Sequence, residues 1–160
     1  MGTKVLTMLA PLWQGLPAVD PLAVSGSASC ALPPRYESVS GARKFTRETL
    51  HGWELDELFD GVALVVSELV TNALRHAVLD APALGADVLP ARLHLMRWSS
   101  RLVCAVRDPS DASPVAGEAD SAAESGRGLY LVDSFSDSWG WHPLSGTAHG
   151  KIVWALFRLP

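Results

Sequence analysis

The sequence predicts an α+β domain: a two-layer sandwich with helices on one face of a mixed, mostly antiparallel sheet. Three observations predict it. Leu55 to Leu79 repeats apolar residues at helical spacing. Ala91 to Trp98 and Arg101 to Asp108 both alternate, with Ser99-Ser100 as a turn between them, which is the pattern of a hairpin. SWGWHP and GKIVWALFRLP then read as two more strands that close the chain. A length of 160 residues favours one domain with one sizeable core.

From the N-terminus, residues 1–26 carry prolines and small residues without a sustained period, and are expected to form a flexible arm ahead of a domain at 27–160. VLTMLAPLW is apolar, but Pro11, Gln14, Pro17 and Asp20 interrupt it, so it is a poor secretory segment. No run approaches the roughly 20 apolar residues of a membrane span. The expectation is a soluble cytoplasmic protein that engages no membrane. SASCALPP is a candidate first strand, stopped by Pro33 and Pro34. Tyr36 to Trp53 has helical spacing through Val39, Ala42, Phe45, Leu50 and Trp53, weakened by Gly41 and Gly52.

In the Leu55–Leu79 helix, Val62, Val66, Leu69, Val70, Ala73 and Ala77 share one face. After the hairpin, Pro109 to Ser125 reads as a long acidic loop, with four carboxylates and no cation. Gly128 to Phe135 reads as a helix. Trp139, Trp141 and Trp154 cluster near the closing hairpin and are expected mostly in the core.

Composition excludes some functions. The chain is 48% hydrophobic and 19% charged, which argues against disorder. A net charge of -4 without a basic block argues against direct nucleic-acid binding. Cys30 and Cys104 form no CxxC, and the five histidines show no zinc spacing. The cysteines read as buried thiols, with one disulfide left open.

Three stretches carry candidate chemistry. In SELVTNALRHA, Glu68, Asn72, Arg75 and His76 fall on one arc of the helix, opposite the apolar face; Asn72 and His76 lie about 40° and 80° round from Glu68. The plain reading is a solvated face. Against it, Gly61 and Val65 occupy the upstream part of the same arc, so the polar patch is local, like one wall of a cleft. An amide oxygen suits Mg²⁺. A carboxylate one turn away can take a proton.

In ESGRGLYLV, Gly126 and Gly128 flank Arg127 just before a predicted helix, where backbone amides can hold an anion; a plain turn is the competing reading. In VRDPSD, Asp108 ends a strand, where its carboxylate either accepts from an amino group such as adenine N6 or simply makes a turn. GRGLYL is not a dinucleotide fingerprint, because Leu131 stands at the third glycine. GTAHGKI is not a P-loop, because Ile152 replaces its Ser/Thr.

Taken in this order, the three stretches resemble the GHKL, or Bergerat-fold, ATPases. SELVTNALRHA is similar to their N box, RDPSD to the G1 box and GRGLYLV to the G2 box, with the lid between the last two. The short chain, the DPS variant and the closing GKIVW most resemble the anti-sigma-factor serine kinases of actinobacterial type. The resemblance implies the cofactors ATP and Mg²⁺. It implies Glu68 as general base, Asn72 as Mg²⁺ ligand and Asp108 on the adenine amino group. Gly126, Arg127 and Gly128 would contact phosphates, and Arg75, His76, Leu129 and Lys151 complete the nucleotide-binding set. It further implies phosphorylation of a serine on a STAS-type anti-anti-sigma partner, sequestration of a sigma factor, and a homodimer. The alternative is a non-catalytic nucleotide-binding switch that regulates a transcription partner by contact.

Two departures stand out. Ser110 and Ala112 replace glycines of the usual G1 box, which bears on lid hinging. Lys151 follows Gly150 where the wider group often has threonine, which bears on adenine recognition.

Overall fold

The computed structural model describes residues 24–79, 91–110, 122–144 and 150–160. The helix α1 spans Glu37–Gly52 and α2 spans Phe59–Leu79, with a single 3-10 turn at Asp56–Leu58 between them. The helix α3 spans Ala122–Phe135. The strands are β1 Val24–Ala31, β2 Arg92–Trp98, β3 Arg101–Asp108, β4 Ser138–Pro143 and β5 Lys151–Arg158. They form one sheet in the order β1-β2-β3-β5-β4. Every neighbouring pair is antiparallel. β3 and β4 therefore run in the same direction with β5 between them, and α3 makes the crossover.

Alternation decides which side chains meet the helices. Leu93 and Leu95 of β2, Leu102, Cys104 and Val106 of β3, and Val153, Ala155 and Phe157 of β5 share one core with the helices. Into it α1 sends Ala42 and Leu50, and α2 sends Val62, Val65, Val66, Leu69, Val70, Ala73 and Leu74. Burying each of the larger side chains contributes about 1.5–3 kcal/mol, which outweighs the weak helix propensity of valine in α2. α2 is the central helix: it packs on α1, on α3 and on β3.

The opposite face of the sheet is buried as well. Met96, Trp98, Val103, Ala105, Ile152, Trp154 and Leu156 form a second apolar cluster there. Trp154 lies flat over Gly140, where a Cβ would stand 2.6 Å from the indole. Trp139 and Trp141 are partly buried against the first core.

The sequence placed the hairpin strands and their turn correctly; Ser99 takes the left-handed backbone (φ 49°) that the turn needs. Three boundaries differ. β1 begins at Val24, inside the stretch expected to be arm, because its pairing with β2 reaches Trp98. The predicted long helix starts at Phe59 rather than Leu55, after the 3-10 turn. α3 begins at Ala122, not Gly128, so the predicted loop ends earlier than Ser125. The rest of that loop and most of the predicted arm lie outside the described residues. Cys30 is half-buried and Cys104 buried, and both are free thiols. Burial pushes each thiol up from its ordinary value, Cys104 far more than Cys30.

Candidate nucleotide site

Two regions carry the candidate residues. The first is the polar arc of α2. Glu68, Asn72 and Arg75 are all half-buried, while Val65, upstream on the same arc, is fully buried. The patch is therefore local, as its spacing predicted, and it is not the continuous solvated face of a surface helix. Ser67 turns its hydroxyl back to the Ala63 carbonyl at 2.7 Å and so leaves the arc to its neighbours. Among the described residues, neither the Glu68 carboxylate nor the Asn72 carboxamide has a hydrogen-bond or ion-pair partner. Half-exposed polar groups that make no contact within the fold are open to solvent and available to a ligand. His76 lies on the same helix, with its side chain outside the described residues.

The second region is the junction of β3 and β5. Asp108 and Lys151 are direct cross-strand partners, on the sheet face that meets the helices. The Lys151 ammonium stands 3.4 Å from Asp108 Oδ2, and the two side chains are only 1% and 3% exposed. The ammonium also donates to the Ser110 carbonyl at 3.0 Å. Asp108 Oδ1 accepts from the Ser110 amide at 2.8 Å, which is the Asx-turn bond that an Asp-Pro-Ser sequence favours. Asp108 therefore makes the turn, and its carboxylate faces the helix layer at the end of a strand.

Gly150 is what lets the two strands close on each other. Its φ is +114°, and a Cβ there would lie 2.5 Å from the Asp108 carbonyl oxygen. No other residue fits that position without moving backbone. Gly150 and the backbone of Ser110, noted in the sequence only as departures or neighbours of departures, both take part in this junction. A glycine immediately before the lysine that opens a strand was the available signal.

The glycines of GRG are placed differently from expectation. Gly126, Arg127 and Gly128 lie inside α3, which starts at Ala122. Past the first turn a helical amide donates to the carbonyl four residues back, so these amides are not a helix-terminal anion cradle in this arrangement. The physical reason is tertiary: α3 packs along α2, and that contact outweighs a glycine penalty of about 1 kcal/mol each. Leu129 is buried at 8% exposure. The Arg127 side chain lies outside the described residues.

The donor set fits a magnesium nucleotide at one end. A carboxamide oxygen and a carboxylate one turn apart, both unsatisfied by the fold, suit a hard cation that takes most of its ligands from water and phosphate. No cluster of three or more His, Cys, Asp or Glu that could hold a metal occurs among the described residues. At the β3–β5 junction the Asp108 carboxylate is paired with the Lys151 ammonium. No helix among the described residues is long and apolar enough to cross a membrane.

The described residues thus form an antiparallel sheet under a helix layer, with a half-buried Glu/Asn pair on the central helix and a buried aspartate at a strand end. The family model of the histidine kinase-like ATPase domain matches residues 32–157, and the chain belongs to that family. It is thus of the GHKL type that its N box resembled, and a domain of this type implies ATP binding, usually with Mg²⁺. No curated protein matches the chain by sequence.

Proposed function

We propose that the chain is an ATP- and Mg²⁺-dependent anti-sigma regulatory factor, a protein-serine kinase that phosphorylates a STAS-type anti-anti-sigma partner. The observation that carries this reading is the Glu68/Asn72 pair, half-buried and without a partner in the fold, on the central helix of a histidine kinase-like ATPase domain. Bound Mg·ATP supplies the phosphoryl group. The Asn72 carboxamide oxygen would hold the metal. Glu68 takes the proton of the attacking serine hydroxyl, a role that contributes typically ~10²–10⁴-fold to a rate. Asp108 accepts from the base amino group.

For Gly126, Arg127 and Gly128 to reach phosphates, the first turns of α3 unwind. Two glycines lower the cost of that by about 2 kcal/mol relative to alanines. The exposed face of α1 offers a surface for an acidic partner: Tyr36, Val39, Ser40, Arg43, Lys44 and Arg47 line a shallow groove with three cations and no carboxylate.

The test is transfer of radiolabelled phosphate from ATP to a serine of a STAS-domain protein. The native chain should transfer it. Glu68→Gln should keep nucleotide binding and lose transfer by about 10²–10⁴-fold. The second reading, a non-catalytic nucleotide-binding switch, draws on the Asp108–Lys151 pair, which occupies the carboxylate assigned to the base. Under it Glu68→Gln would regulate its transcription partner as well as the native chain does.

A further inference from the structure

We propose that Lys151 gates the base end of the site: its ammonium holds the carboxylate that a base amino group must use, so nucleotide binding and the Asp108–Lys151 pair compete. The proposal rests on the nucleotide-binding reading and adds the residue that controls access to it. Three observations lead here. The ammonium is 3.4 Å from Asp108 Oδ2 and donates to the Ser110 carbonyl at 3.0 Å, so it bridges the two residues that begin the loop after β3. Both side chains are almost fully buried, so the carboxylate is not open to a base in this arrangement. The strand register and the close approach at Gly150 lock Lys151 opposite Asp108 rather than leaving it free to swing there by chance.

The energetics favour the lysine over a base. Either donor would make a charge-assisted bond to the carboxylate, but only the ammonium carries a full charge and adds the Coulomb attraction that a neutral adenine amino group lacks. An incoming base does not displace the ammonium through that contact alone. It needs the rest of the nucleotide, with Mg²⁺ and phosphate held on α2, to make the exchange favourable. The base end thus opens only when the phosphate end is engaged. Replacing Lys151 by threonine removes the competitor and leaves the buried Asp108 carboxylate without its counter-ion, still accepting from the Ser110 amide. The base amino group is then its best partner.

Calorimetric titration with Mg·ATP tests this on the native chain and on Lys151→Thr. The variant should bind at least about tenfold more tightly, a change of roughly 1.4 kcal/mol. The gain should vanish with purine riboside triphosphate, which lacks the 6-amino group. A folded Lys151→Thr that binds Mg·ATP no more tightly than the native chain overturns the gate and leaves the nucleotide site standing. If neither chain binds any nucleotide, both the gate and the function it rests on are wrong.

A second measurement needs no variant. Acylation of Lys151 in the native chain, read by mass spectrometry, should be slow without ligand and faster with saturating Mg·ATP, because the ammonium leaves its buried carboxylate. Unchanged or slower labelling also overturns the gate.

Discussion

Asp108 and Lys151 are sealed at the β3–β5 junction, with every described polar contact made inside the fold, whereas Glu68 and Asn72 lie half-buried on α2 with no partner among the described residues. The contrast separates two ways of building a site. The junction is part of what holds the sheet together, so its residues serve stability first. Glu68 and Asn72 contribute little to the fold, so these two side chains are available to a ligand. Mutations should therefore divide by effect: those at the junction register in unfolding experiments, and those on the arc register in binding and transfer.

The largest expected effect comes from breaking the junction. Asp108→Ala leaves the Lys151 ammonium buried without its counter-ion and should destabilise the chain by about 3–5 kcal/mol, measurable as a lower midpoint in urea unfolding. Next is Gly150→Ala. Its Cβ would meet the Asp108 carbonyl at 2.5 Å and its φ would remain at +114°, so a loss of about 2 kcal/mol is expected in thermal unfolding.

A pH-dependent effect, absent at neutral pH, lies on the other side of the sheet, next to the junction. His94 sits beside Arg92 and Arg107, and burial first, then those two guanidiniums, lower its pKa from 6.5 to about 4. The unfolded chain therefore binds the proton first as pH falls. Stability is full above about pH 6.5 and declines toward pH 4 by at most ~1.4 kcal/mol per pH unit. His94→Gln should flatten that slope in unfolding midpoints taken across this window. The smallest stability effect belongs to the arc: Glu68→Gln should move the unfolding free energy by no more than about 0.5 kcal/mol. A large loss there would mean that the arc is structural after all, and the contrast would fail.

Local signals were legible in the sequence and non-local ones were not. The α2 period and the β2–β3 alternation depend on neighbours along the chain, and both were placed within a few residues. The polar arc was legible because Glu68, Asn72 and Arg75 lie within two turns of one helix. The start of α3 was not, because Gly126 and Gly128 have poor helix propensity and only packing on α2 overrides it. Lys151 stood out in the sequence as an unusual residue, but its contact with Asp108 depends on the β3–β5 register, which joins residues far apart in the chain. The buried outer face was half legible: Met96 was read on the same side as Arg92 and His94, but Trp98, Val103 and Ile152 complete the apolar cluster only once the strands are aligned.

The account stands on one claim, that the α2 arc and the β3–β5 junction are two ends of a single nucleotide site. Backbone amide shifts at Asn72 and Lys151, followed by NMR as Mg·ATP is added to the native chain, test it most directly. Both signals should move together along one saturation curve with one dissociation constant. Movement at one end alone, or at neither, would contradict it.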